Sequence, residues 1–149
     1  MSAPPVDSVA FLEGLAAQMN AHPDRYEVLG DCDLVLGVVV QRPDGQAFRA
    51  RITFEGIACL DVCEAEAGDE ALADCWLEGP LDAWSAMVDD IVEHGRATGR
   101  HTLNSLTLMG ESIRLRGQDV MGIDKFSRFN QSLQEFFDGA AARSVRAVG

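Results

Sequence analysis

The chain has 149 residues, with 12 Lys and Arg against 24 Asp and Glu, so its formal net charge is −12. With 47% apolar and 24% charged residues, it is neither disordered by composition nor membrane-like, and its length suits a single domain over 1–149. The acid excess excludes a nucleic-acid binder, which needs a basic face to displace counterions, and a constitutive anionic-membrane partner.

Pro4 and Pro5 mark a short leader, and residues 1–6 are expected to be disordered. Asp7 can cap a helix over 8–20, with Val9, Leu12, Ala16 and Met19 on one side. His22-Pro23-Asp24 ends it, because the residue before proline disfavours helix. From Cys32 the period changes. Residues 34–40 form a continuous aliphatic run that reads as a strand covered on both faces. Arg42-Pro43-Asp44-Gly45 is a turn. In the next run Phe48, Ala50, Ile52 and Phe54 face one way and Arg49, Arg51, Thr53 and Glu55 the other, as in a half-buried antiparallel strand. Gly56 turns the chain into a third strand over 57–64. An acidic loop over 64–70 follows, and 71–77 reads as a fourth strand.

Gly79-Pro80 opens a helix, with proline at the first helical position and Asp82 in the favourable first turn. Leu81, Trp84, Val88, Ile91 and Val92 fall within an arc of about 100°, and Gly95 stops the helix. Residues 96–104 are polar. Leu106 alternates with Leu108, and Ile113 with Leu115, so at least 112–116 is expected to be a strand. Over 124–142, Phe126, Phe129, Leu133, Phe136, Phe137 and Ala140 share about 100° of arc, which predicts one long amphipathic helix. The tail over 143–149 is small and polar and is expected to be disordered. Hairpin-connected strands followed by interspersed helices indicate an α+β fold: a mainly antiparallel sheet of about five strands, covered on one face by helices.

No apolar run approaches the roughly 18 residues of a membrane-spanning helix. The first residues show neither a basic nor an apolar signal region, so a cytoplasmic protein without membrane insertion is expected. Cys59 and Cys63 would sit about 13 Å apart along one strand face, beyond disulfide reach. Cys32 and Cys75 meet only if the fold brings them together. Four reduced, packed thiols are the expectation. His22, His94 and His101 are not clustered with cysteines, so neither a metal nor a cofactor is expected.

Three stretches carry a resemblance. One is the alternating meander over 32–64. The second is Ala73-Asp74-Cys75-Trp76 running into Gly79-Pro80-Leu81-Asp82-Ala83-Trp84-Ser85-Ala86-Met87. The third is Ile113-Arg114-Leu115-Arg116-Gly117-Gln118-Asp119. Together they make the chain, over roughly 32–137, similar to the sterol carrier protein family of lipid-binding domains. Members of that family bind sterols, fatty acids or acyl-CoAs in an apolar tunnel between sheet and helices. The segment 95–109 and the Phe-rich terminal helix are longer than the family pattern, and the chain stops at Val148-Gly149, without a peroxisomal Ser-Lys-Leu-type ending. The family's peroxisomal setting is therefore not carried over.

The resemblance implies a tunnel lined by Phe54, Trp76, Trp84, Met87, Val88, Ile91, Met109, Met121, Phe126, Phe129, Leu133 and Phe136. Its lid would be the helix over 80–94 or that over 124–142. The basic segment 94–101 is either a solvated connection or the place where Arg96 and Arg100 meet an anionic head group. No catalytic motif is present, and the acidic pairs, Asp89-Asp90 among them, read as solvated face. Asp74 shares a strand face with Leu72 and Trp76 and, if inward, would need Arg49, Arg51 or Arg114 as partner. Three functions are compatible with these residues. The first is a non-catalytic carrier of a hydrophobic small molecule or lipid. The second is a small enzyme or subunit using a cavity carboxylate such as Asp74. The third is an interaction module whose Phe-rich helix packs in a homodimer.

Overall fold

A computed structural model describes residues 4–108 and 112–142. The first helix, α1 (Val9–Ala21), is capped by Ser8 and not by Asp7. Ser8 Oγ accepts from the Phe11 N–H at 3.2 Å, while Asp7 is taken by the Arg42 guanidinium at 2.6 Å. Phe11, Leu12, Leu15 and Met19 form its buried face. A single turn, α2 (Asp24–Glu27), follows.

Three strands then form an antiparallel meander: β1 (Leu34–Gln41), β2 (Ala47–Glu55) and β3 (Ala58–Glu64). Residues 65–74 carry the chain back across β2 and β1. β4 (Cys75–Pro80) pairs with β1 in parallel, and β5 (Arg114–Arg116) closes the far edge antiparallel to β4. The sheet order is β3-β2-β1-β4-β5. The molecule is thus α+β, with one parallel pair in an otherwise antiparallel sheet.

The remaining elements are α3 (Leu81–His94), a 3-10 turn over Gly99–His101, α4 (Leu103–Leu108), α5 (Val120–Arg128), α6 (Asn130–Asp138) and a last 3-10 turn over Gly139–Ala141. Gly95 ends α3 with φ 85°, and its N–H bonds to Ile91 O at 2.7 Å. That left-handed cap is the stop expected of this glycine.

Three expectations are corrected. The fourth strand begins at Cys75, because residues 70–72 coil into a 3-10 turn and Asp74 is held against β1 by two backbone contacts. Its N–H donates to Val35 O at 2.8 Å, and its carboxylate accepts from the Val35 N–H at 2.8 Å. Leu106 and Leu108 lie on α4, not on a strand. Thr102 starts that helix by accepting the Ser105 N–H, and Leu103 and Leu106 turn inward together. The terminal helix is two helices, α5 and α6, starting at Val120 instead of Asp124 and broken at Phe129 (φ −104°, ψ 15°). Asp119 provides the earlier start by capping Gly122 N–H at 2.8 Å. The expected disorder of 143–149 and of 1–3 falls outside the described residues. Val6 packs against the core.

The sheet has one helix-covered face. Leu34, Leu36, Val38 and Val40 of β1, with Phe48, Ala50, Ile52 and Phe54 of β2, join residues of α1, α3, α4, α5 and α6 in one continuous apolar cluster. On the other face Val39, Ala65 and Trp76 form a second, small cluster beneath the crossing segment. A Cβ on Gly37 would overlap the Trp76 indole, so glycine is what lets this ring lie across β1. The indole N–H donates to Glu70 O at 3.0 Å and ties the crossing segment down.

Candidate functional site

The candidate site is the layer between the sheet and the helices. β2 contributes Phe54; α3 contributes Trp84, Met87, Val88 and Ile91; α5 contributes Phe126; α6 contributes Leu133 and Phe136. All eight belong to the one core cluster. Phe129 packs against it, half-buried. The rings interlock: Phe54 and Phe136 meet edge to face at 5.0 Å, Phe136 and Phe137 at 5.4 Å, and Trp84 lies tilted against Phe137 at 5.9 Å. Trp84 also donates its indole N–H to Val39 O at 3.2 Å, which fixes α3 on β1.

This layer is filled by side chains. Met87, Ile91, Leu133 and Phe136 are 0% exposed, so no void wide enough for a water molecule borders them. Clefts lie around it. One of about 80 Å³, between α1 and the last 3-10 turn, touches Phe11, Leu15, Gly139 and Ala140. It is small beside the roughly 300–1,000 Å³ of ordinary ligand pockets. Another, of about 430 Å³, opens at the α5–α6 junction between Leu29, Asn104, Phe126 and Phe129. Phe126 lines this cleft and is also a member of the core, so it stands between surface and interior.

Two of the expected lining residues are not in this layer, Trp76 and Met121. Trp76 is on the opposite face of the sheet, because it alternates with Cys75 and Leu77, which point to the helices. Met121 is 75% exposed on the first turn of α5. Met109 lies outside the described residues. Residues that sequence reasoning missed come from α1, whose Phe11, Leu12, Leu15 and Met19 fill the β3 end of the same layer. Their spacing was a readable signal. Their position was not, since it depends on Asn20, whose side-chain amide bonds both the N–H and the C=O of Cys59 at 2.9 Å.

Arg96 and Arg100 are exposed on the connection after α3. Arg96 borders an open cleft of about 510 Å³ with His22, Arg25, Glu135 and Asp138. Asp138 is occupied structurally: it accepts from the Ala97 N–H and from Gln134, both at 3.0 Å, and burial pushes its carboxyl above the usual range. Asp90 corrects the reading of Asp89-Asp90 as a solvated pair, because it is buried. It accepts from the Thr98 N–H at 2.6 Å and from the Thr98 hydroxyl at 3.1 Å, and His94 Nδ1 lies 3.0 Å away. Burial alone would raise its carboxyl; the Thr98 contacts and the imidazoles of His101 and His94 leave it below the usual value. The segment 94–101 is therefore wrapped around a buried carboxylate instead of lying loose.

Asp74 is not paired with an arginine. Its partners are the Val35 N–H and Lys125 Nζ at 3.2 Å, and its side chain is 29% exposed. Gly122 permits that contact, since a Cβ there would run into the Asp74 carbonyl oxygen. Burial pushes the thiols of Cys32 and Cys75 up to about 12 and that of Cys59 up to about 11, which makes all three poor nucleophiles. Among the described residues no group of three or more His, Cys, Asp or Glu is placed to hold a metal ion, and no helix is long and apolar enough to cross a membrane.

No family model and no curated protein matches the chain in sequence. Solved structures match it in shape. A sterol carrier protein 2 crystal structure superposes with a TM-score of 0.67 at 17% identity, over 91% of this chain and 96% of that one. The chain has the sterol carrier protein fold. A conserved hypothetical protein of Thermus thermophilus, named as a candidate sterol carrier protein, gives a TM-score of 0.63 at 18% identity over 97% and 93%. The apo form of sterol carrier protein 2 from Yarrowia lipolytica gives 0.52 at 13% over 89% and 96%.

Proposed function

We propose that the protein is a non-catalytic carrier or binding protein for a hydrophobic small molecule, such as a lipid, a fatty acyl group or a sterol-like compound. The ligand would lie between the sheet and the helices, among Phe54, Trp84, Met87, Val88, Ile91, Phe126, Phe129, Leu133 and Phe136. The observation that carries this reading is the sterol carrier fold combined with a layer made only of apolar side chains at those positions. Apolar burial supplies the affinity, at about 25 cal/mol per Å² before ordering costs. Because the layer is filled, binding requires side chains to part. The cleft at the α5–α6 junction, with Phe126 as its floor and the break at Phe129 as a pivot, is the entry.

The test is displacement of a fluorescent fatty acid, with fatty acids, acyl-CoAs and sterols as competitors. Saturable low-micromolar or tighter binding is expected. The two tryptophans give a positional check. Trp84 sits in the layer and Trp76 on the far face, so ligand should quench the emission of Trp76→Phe and leave that of Trp84→Phe unchanged. Absence of displaceable binding across all three ligand classes sinks the proposal.

A further inference from the structure

We propose that Arg49 and Arg51 form a binding site for a phosphate-type oxyanion on the sheet face turned away from the helices. Both belong to β2. Two residues apart on a strand, they leave the same face about 6.7 Å apart, close enough for two guanidiniums to grip one anion. Both are half-buried. Neither has an ion pair or a side-chain hydrogen bond among the described residues, and Arg51 Nε is enclosed with no acceptor. The terminal nitrogens of Arg51 are not enclosed, so an incoming oxyanion can reach them.

This lack of partners is not a shortage of acid, since carboxylates outnumber Lys and Arg 24 to 12. Arg116, on the same face, shows the satisfied alternative: it donates to Glu78 at 2.7 Å and to both Glu70 oxygens at 3.1 and 3.2 Å. Arg42, Lys125 and Arg128 are likewise paired. The crossing segment is anchored beside the pair by Ala65 N–H on Arg49 O at 2.8 Å. Three of its carboxylates are engaged elsewhere: Glu70 with Arg116, Asp69 with the Glu66 N–H at 3.0 Å, and Asp74 with the Val35 N–H and Lys125. An enclosed guanidinium N–H without an acceptor is costly, and a charge-assisted bond to an oxyanion removes that cost. Two adjacent positive charges suit a dianion, so a phosphate monoester or pyrophosphate fits better than a single carboxylate. The site lies across the sheet from the apolar layer and does not rest on the carrier reading.

Arginine Nε–Hε correlations in NMR test it directly, with sodium pyrophosphate added at constant ionic strength. The Arg49 and Arg51 signals should shift and saturate together, while Arg114, an exposed arginine on the same face, should not. Arg49→Lys and Arg51→Lys, each checked for an unchanged unfolding midpoint, should weaken binding about tenfold, because lysine lacks the guanidinium fork. A second titration with dihexanoyl phosphatidic acid below its micelle concentration identifies the source. Equal affinity supports a free phosphorylated molecule, and at least tenfold tighter binding supports a lipid head group. Shifts that fail to saturate, that are shared by Arg114, or that acetate reproduces at the same concentration overturn the proposal.

Discussion

On the helix-covered side of the sheet, apolar residues of β1 and β2 meet residues of five helices in one uninterrupted cluster. On the other side, the sheet presents Val39 of β1, a buried Trp76 of β4, Arg49 and Arg51 of β2 and Arg114 and Arg116 of β5, with ten residues of chain crossing above β1 and β2. The first face holds by redundancy, since side chains of two strands and five helices share one continuous cluster. The second holds by a few separate contacts, chief among them the Trp76 indole on Gly37 with its N–H on Glu70 O, beside the Arg116–Glu70 pair and the backbone bonds of Ala65 and Asp74. Stability is concentrated on one side, while the connection that defines the strand order is secured on the other.

Removing a ring from the covered face should produce the largest effect. Phe136→Ala deletes a fully buried ring that stacks edge to face on two neighbours, and should cost about 3–5 kcal/mol in urea unfolding. A loss under 1 kcal/mol would mean that the layer is loosely packed and the contrast between the faces is false. Gly37→Ala attacks the other face. It forces the indole off β1 and should cost about 1–3 kcal/mol. Combining it with Trp76→Leu should cost less than the sum of the two single changes, because both disturb one contact. Strict additivity would separate the two residues.

The cysteines give the gentlest comparison. Cys32, Cys59 and Cys75 belong to the covered face, and Cys63 lies opposite Arg51 on the other. Ellman's reagent at pH 8 should label Cys63 within minutes and the other three only after unfolding, as their thiols stay protonated. A thiol raised from 9 to about 12 keeps its proton in the folded state and loses it in the unfolded state. Stability is thus full below pH 9 and falls from there towards pH 12, with Cys59 levelling off near 11. A rise in stability over that window would contradict the burial of these thiols.

The parts of the fold that sequence made legible are those governed by neighbours a few residues away. The alternation from Phe48 to Phe54 is set by the two-residue period of a strand, and the structure buries those four residues as the pattern requires. Gly95 ends α3 for a purely local reason. What escaped was set by distant partners. Asp74 belongs to the edge of β1 through Val35, 39 residues away, and its ion pair with Lys125 spans 51. The burial of Asp90 depends on a loop folding back to bring Thr98. The break at Phe129 has no proline or glycine beside it, and nothing in the structure explains it. Eight of the twelve expected lining residues do share one layer, because helical and strand periodicity selects inward positions. Trp76 was readable: it shares its strand face with Asp74 and Glu78, while Cys75 and Leu77 take the helix side, and its apolar ring alone placed it in the expected lining.

The parallel pairing of β4 with β1 has a consequence for the order in which the chain can organise itself. Bringing Asp74 to Val35 closes a loop of 39 residues. If the β1–β3 meander already exists, most of those residues are fixed and only the crossing segment 65–74 remains to be closed, at a lower entropic cost. Loop-closure entropy thus favours forming the local hairpins before the long-range strand. The moment of closure is marked by one side chain settling into the gap above Gly37. Trp76 then belongs to the packing that is complete only once this crossing is closed.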